Sequence, residues 1–381
     1  MALKKILHFA SFIGNIGDNA NHNGLYKTLF SKLEGIDFNI TKEEIREYFW
    51  NHKNFDDKLI NLFNQFDLVI IGGGNFFELW VENSRTGTSI DIPIEFLKKI
   101  NPPILFFSLG FDIHQGYSSE NKLKFSKFLD FLISKKKYLV SFRNDGALDN
   151  LNLLYGSRYN SSIKIIPDSG IVLNLEDLNQ NPNSWIRKNT LGINLAGDMI
   201  NLRYNDNYDK ALRVYSEFLK WIIEKYDYNI IFFPHIYSDY KITFDVLNLL
   251  PDSFKRKKIQ IAPLASDNDG MKEIFSLYNQ CKIIVANRFH SNLCSIALGK
   301  PTIGIINYPQ IENFYKEIGL SHYNVKINEN NALENIKSIF SEVNYNQESV
   351  VEEVISVRDQ VREIYTNSMI DITDWIQKKL Q

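Results

Sequence analysis

Residues 281–306 read CKIIVANRFHSNLCSIALGKPTIGII, which sets an Arg-Phe-His triplet between two apolar runs. The run at 282–286 is β-branched enough for a buried strand, 301–306 gives a second, and Gly299-Lys300-Pro301 ends the helix expected between them. The unit is β-α-β, and ligands of open α/β sheets bind beyond the carboxyl ends of the strands. Arg288 and His290 stand just past one such end. His290 falls in the first turn of the helix, whose N–H groups and dipole favour an anion. The triplet therefore predicts an anion site. The competing reading pairs Arg288 with an acid to hold a loop and makes His290 an ordinary core histidine.

Working outward, the same alternation recurs. Strands are predicted over 4–10, 68–71, 104–108, 138–143 and 163–166, with a glycine-punctuated loop at 11–18 and a helix over 19–33. After an asparagine-rich, aperiodic stretch at 174–189, read as a linker, strands are predicted over 190–195, 230–233, 259–261, 283–285 and 302–306. The expected fold is α/β, with two Rossmann-like domains whose parallel sheets face across a cleft. The N-terminal domain is placed at 1–175 and the C-terminal one at 190–327. A helical tail over 328–381, apolar at Val351, Val354, Ile355, Val361 and Ile364, is expected to pack back and close on both.

Size and composition bound the function. A chain of 381 residues exceeds one comfortable core. Net charge −2 gives no field for a polyanion, so nucleic acid is not an expected partner. Cys281 and Cys294 lie in apolar segments and read as small buried hydrophobes. No apolar run reaches the length of a membrane span and the start is not a signal peptide. A cytoplasmic protein without stable membrane insertion is expected, with the inner face of the membrane kept open as its working place. Scattered acids give no metal site, and no cofactor is implied.

Four further loops close predicted strands. Gly14-Asn15-Ile16-Gly17-Asp18-Asn19 lets backbone approach a ligand, with Asp18 or Asn19 as helix cap. It is neither a GxGxxG nor a P-loop. Gly72-Gly73-Gly74-Asn75 offers bare backbone N–H groups for phosphate, carboxylate or sugar hydroxyls. Arg143 follows Ser141-Phe142. It either pairs with Asp145 or, if it faces the cleft with Arg288, completes a two-cation clamp for a compact anion. His235 follows Phe233-Pro234 and is within plausible reach of the same cleft.

Taken together, GNIGDN, GGGN, SFRND, PDSG, FPH with Asp239 soon after, and NRFHSNLCSIALGKPTIGI resemble the polysaccharide pyruvyl transferase family. The resemblance implies a GT-B-like fold and transfer of the enolpyruvyl group of phosphoenolpyruvate onto two hydroxyls of a saccharide, giving a pyruvate ketal in cell-surface or exopolysaccharide biosynthesis. It implies Arg288, His290 and Arg143 at phosphoenolpyruvate, with His235, Gly73 and Gly74 assigned to the same donor. His290 becomes the candidate acid, and Asp18 the carboxylate that takes or holds an acceptor hydroxyl. Two loops depart from the family's pattern: residues 19–23 are polar where an apolar helix face is expected, and Asn75-Phe76-Phe77 replaces smaller residues. Both lie where the acceptor is expected, so Asn15, Asn19, His22 and Asn75 are assigned to it. Whether that sugar is carried on lipid, nucleotide or polymer is left open. The alternatives are a GT-B glycosyltransferase using a nucleotide sugar, and a non-catalytic protein that binds a glycan or a phosphorylated metabolite.

Overall fold

The structure, a computed structural model, describes residues 3–33, 35–178 and 186–380. Residues 179–185 of the expected linker lie outside the described residues. The chain divides into two units, one made of 1–13, 24–169 and 363–381, the other of 14–23 and 170–362. Both are α/β with an all-parallel sheet, as the alternation predicts, and match the GT-B-like fold class that the resemblance implies.

In the first unit the strands are β1 (Lys4–Ala10), β2 (Phe38–Glu44), β3 (Leu68–Gly72), β4 (Phe77–Glu78), β5 (Ile104–Leu109), β6 (Phe111–Asp112), β7 (Tyr138–Phe142) and β8 (Lys164–Ile165). The main sheet runs β2-β1-β3-β5-β7-β8, and β4 pairs with β6 alone. Strands β3 and β5 are buried at every position, as expected where helices cover both faces of a parallel sheet. The core is rich in phenylalanine, with Phe9, Phe63, Phe77, Phe106, Phe125 and Phe142 closed to solvent. The sequence reading missed β2 because FNITKEE is polar and only partly buried, the character of an edge strand.

The second unit holds β9 (Thr190–Asn194), β10 (Asn229–Phe232), β11 (Ile259–Ile261), β12 (Ile283–Ala286), β13 (Thr302–Ile306) and β14 (Asn324–Lys326). Their order is β11-β10-β9-β12-β13-β14. The chain starts at β9, builds outward through β10 and β11, then returns to β12 on the other side. This reversal makes the β9/β12 boundary the topological switch point, where loops leaving the two strands diverge and open a crevice. Strands β9, β12 and β13 are wholly buried.

The first helix runs Ile16–Lys32, three residues earlier than expected. Asn15 explains the start, since its Oδ1 accepts the Gly17 N–H at 3.0 Å. Asp18 is thus not the cap; it lies in the first turn. The last helix, Gln347–Leu380, is continuous. Its buried stripe follows Val350, Val354, Val361, Tyr365, Met369, Ile372 and Ile376, whereas Ile364, counted with the apolar face in sequence, is exposed. Within the second unit, the Arg362 guanidinium donates to the carbonyls of Ile171, Leu173 and Ala297. Within the first, Tyr365 Oη bonds Thr28 and Ser169. No helix among the described residues is long and apolar enough to cross a membrane.

Candidate functional site

The switch point of the second unit gathers the polar residues that leave β9, β10 and β12. Asn194, the last residue of β9, accepts the Arg288 N–H on Oδ1 at 3.0 Å and donates through Nδ2 to the Phe233 carbonyl at 2.8 Å. One buried amide therefore ties all three strand ends. Arg288 is the N-cap of the helix Phe289–Ala297 from an extended backbone, and its own side chain makes no capping hydrogen bond.

The Arg288 guanidinium is held by two acids. Nε and Nη2 fork onto Asp239 at 2.8 and 2.5 Å, and Nη2 also meets Asp198 Oδ1 at 2.8 Å. Asp239 is fully buried and saturated, because it also accepts the backbone N–H groups of Gly197, His235 and Ile236. Burial alone would lower the Arg288 pKa, but the two carboxylates outweigh it and hold it above its ordinary value. Burial likewise works against the Asp198 carboxylate, yet Arg288 and Arg203 bring it down to about 2. The reading in which Arg288 pairs with an acid is thus correct as geometry. It does not exhaust the residue: Nη1 has no hydrogen-bond partner among the described residues, and the side chain keeps 12% exposure.

His290 is in the first turn, as the sequence reading placed it. Its Nδ1 lies 4.0 Å from Asp18 Oδ1, an ion pair when the imidazole is protonated. Gly17 presses on the same ring: a β-carbon there would stand 2.3 Å from His290 Cβ and 2.4 Å from Nδ1. Residues 14–23 belong to the second unit, so the loop after β1 and the helix after β12 build one cluster. Asn19 Nδ2 donates to the Asn15 carbonyl at 3.3 Å. His22, assigned to the acceptor in sequence, is buried at 2%.

His235 is also buried, with Nε2 2.8 Å from Tyr278 Oη, which is itself 2.8 Å from Ser291 Oγ. Burial pushes its pKa down to about 3, only partly opposed by Asp239. The ring is therefore neutral near pH 7 and is no cation for an anionic ligand. Its backbone N–H holds Asp239 in place.

Arg143 and the glycine turn lie in the first unit. Arg143 Nε donates to Asp145 Oδ2 at 2.8 Å, and Nη1 to Asp168 Oδ2 at 3.2 Å, with all three side chains buried. Burial lowers its pKa, and the two carboxylates more than restore it. Gly72 accepts from His8 Nε2 at 3.0 Å, and Gly73 N–H donates to the Phe107 carbonyl at 2.9 Å, so that N–H is not bare. A β-carbon at Gly72 would meet the Phe107 carbonyl at 2.4 Å, and one at Gly74 the Phe76 ring at 2.7 Å. Close packing thus accounts for these two glycines. Asn75 Nδ2 donates to Glu78 Oε1 at 3.3 Å.

Sequence reasoning missed Asn194 and Asp198. The position rule that singled out Arg288 applies equally to Leu195-Ala196-Gly197-Asp198, just beyond β9. Gly197 is the signal within it: a β-carbon there would be 1.9 Å from the Ser238 carbonyl, so only glycine lets the loop reach Asp239.

A family model described as polysaccharide pyruvyl transferase matches residues 15–308. No curated protein matches the sequence. Among solved structures, the chain is similar to a glycosyltransferase from Rickettsia africae, with TM-score 0.59, 13% identity, and 99% of this chain and 100% of that one covered. It is similar to UDP-GlcNAc 2-epimerase from Neisseria meningitidis bound to UDP-GlcNAc, with TM-score 0.57, 12% identity and coverage of 94% and 98%. A third likeness is to Anabaena HepE in complex with UDP and glucose, with TM-score 0.55, 11% identity and coverage of 97% and 100%. At these identities the likeness is one of fold.

Proposed function

Because the chain belongs to the polysaccharide pyruvyl transferase family, a family of transferase enzymes, we propose that it moves the enolpyruvyl group of phosphoenolpyruvate onto two hydroxyls of a saccharide and forms a pyruvate ketal. The observation that carries this reading is the convergence of Arg288, His290 and Asp18 at the switch point of one sheet.

The residues suit protonation of the donor, addition of the first hydroxyl and departure of phosphate. The protonated imidazole of His290 gives its proton to the methylene carbon of phosphoenolpyruvate, and positive charge develops at the neighbouring carbon. A saccharide hydroxyl adds there and loses its proton to the neutral imidazole. The bond to the phosphate oxygen then breaks, and inorganic phosphate leaves with the electron pair. A second hydroxyl adds to the same carbon and closes the ketal, its proton leaving with phosphate. In this reading Arg288 Nη1 and the first turn of the helix Phe289–Ala297 hold the leaving phosphate. Asp198 and Asp239 fix the guanidinium and keep it from swinging. The 4.0 Å spacing favours Asp18 as the residue that holds the ring and its charge. Arg143, shared between two buried carboxylates, we assign to holding the loop that follows β7.

The test is phosphate release from phosphoenolpyruvate by the purified protein across a saccharide panel. Release that depends on saccharide supports the reading. Thermal protection by UDP sugars, without protection or turnover by phosphoenolpyruvate, would instead favour a nucleotide-sugar glycosyltransferase.

A further inference from the structure

Beyond the carboxyl ends of β3 and β5, the short strands β4 and β6 lead into two neighbouring clefts of the first unit, of about 440 and 310 Å³. Both volumes lie in the range of small-molecule sites. The segment carrying Trp80, Glu82 and Asn83 separates them, and Glu82 and Asn83 line both. Three large aromatic side chains that line the clefts are exposed: Phe49, Trp80 and Tyr117. Trp80 meets Phe49 edge to face at 6.4 Å.

The surface is built, not loose. Asn121 Nδ2 donates to the carbonyls of Leu79 and Val81, both at 2.9 Å, and clamps the backbone on either side of Trp80. Glu78 accepts from the Gln115 amide at 3.1 Å, which ties the segment before Trp80 to the loop before Tyr117. The loop beyond is tied by hydroxyls, with Ser84 Oγ donating to the Thr88 carbonyl and Thr86 Oγ1 to that of Ile90. Preformed walls lower the ordering cost of binding.

The charges select among ligands. Every basic side chain lining the clefts is in an ion pair: Lys124 with Glu120, Arg85 with Asp91 and Lys53 with Glu43. Glu82 adds a carboxylate with no ion-pair partner among the described residues. A phosphate or uronic acid therefore finds no spare cation here. Flat rings flanked by amides and carboxylates suit a ligand with one apolar face and many hydroxyls.

We propose that this aromatic groove of the first unit binds a neutral saccharide chain, with Trp80 and Tyr117 as stacking faces and Gln115 and Asn83 bonding hydroxyls. Its assignment as the acceptor's binding surface rests on the pyruvyl transfer reading; the binding itself does not. The test uses the full chain and neutral hexose and N-acetylhexosamine oligosaccharides, with saturation-transfer NMR and titrated tryptophan fluorescence as readouts. Phosphoenolpyruvate protection is measured by thermal shift on the same samples. The expected result is saccharide binding that weakens on the order of tenfold in Trp80→Ala and in Tyr117→Ala. Trp80→Phe recovers most of it, and phosphoenolpyruvate protection is unchanged throughout. Failure of every oligosaccharide to bind, or equal affinity in wild type and both alanine variants, overturns the groove. Saccharide binding that depends on Trp80 but comes without phosphoenolpyruvate protection supports the groove and removes the pyruvyl reading.

Discussion

Gly17 packs directly against His290, so closely that any side chain at position 17 would overlap the imidazole. The two residues are far apart in sequence and meet within one unit, where the ring is also faced by Asp18.

Gly17→Ala should displace the His290 ring. A misplacement of about 1 Å can cost on the order of a hundredfold in rate. We expect kcat for phosphate release to fall by about that much, while thermal protection by phosphoenolpyruvate is largely kept. Equal losses in binding and turnover would point to a damaged fold in place of a displaced acid.

Arg288→Ala removes the one cation shared by Asp239 and Asp198, and leaves Asp239 charged and wholly buried. Breaking such a pair costs ~3–5 kcal/mol, measurable in urea. Asp239→Asn added to that variant should return part of the stability, but not phosphoenolpyruvate binding. Arg288→Lys should keep the charge and lose the fork, with binding intermediate.

Arg143→Met tests the corresponding triad of the first unit. With Asp145 and Asp168 left without their cation, a stability loss of ~3–5 kcal/mol is expected. Near-wild-type stability would contradict a loop-holding role for Arg143.

Stability should fall on both sides of a middle pH. Burial holds His235 at about 3 instead of 6.5, so between these values the unfolded chain binds a proton that the folded protein refuses. Its contribution is complete above about 6.5 and is lost as pH drops toward 3. Glu78 has the opposite sign: burial, with Asp112 adding to it, pushes its carboxyl up to about 8 from 4.5. There the folded protein keeps the proton, and stability declines as pH rises from 4.5 through 8. In denaturant titrations, His235→Asn should flatten the acid side and Glu78→Gln the alkaline side.

The fold was largely legible because parallel strands buried on both faces leave continuous apolar runs, as at β3, β9 and β13. Residues 38–44 were not legible because FNITKEE is polar and only partly buried, and 324–326 because three residues are too few to leave a pattern. The position of Arg288 and His290 followed from strand end and helix start, which are local. What surrounds them is not local. Asp198 reaches Arg288 across the switch point, and residues 14–23 join the second unit through packing that no short window encodes. His235 was readable as a residue near the site but not as a neutral one, because that depends on how completely Phe275 and Tyr278 enclose it.

The most direct measurement runs the reaction in D2O with carbon-13 phosphoenolpyruvate and a saccharide that triggers phosphate release, followed by NMR. If His290 delivers a solvent-exchanged proton to the methylene carbon, the ketal methyl group carries one deuterium per turnover, and His290→Gln slows its appearance on the order of a hundredfold or more. A ketal methyl group without solvent deuterium, or a His290→Gln variant that turns over like the wild type, would contradict the account.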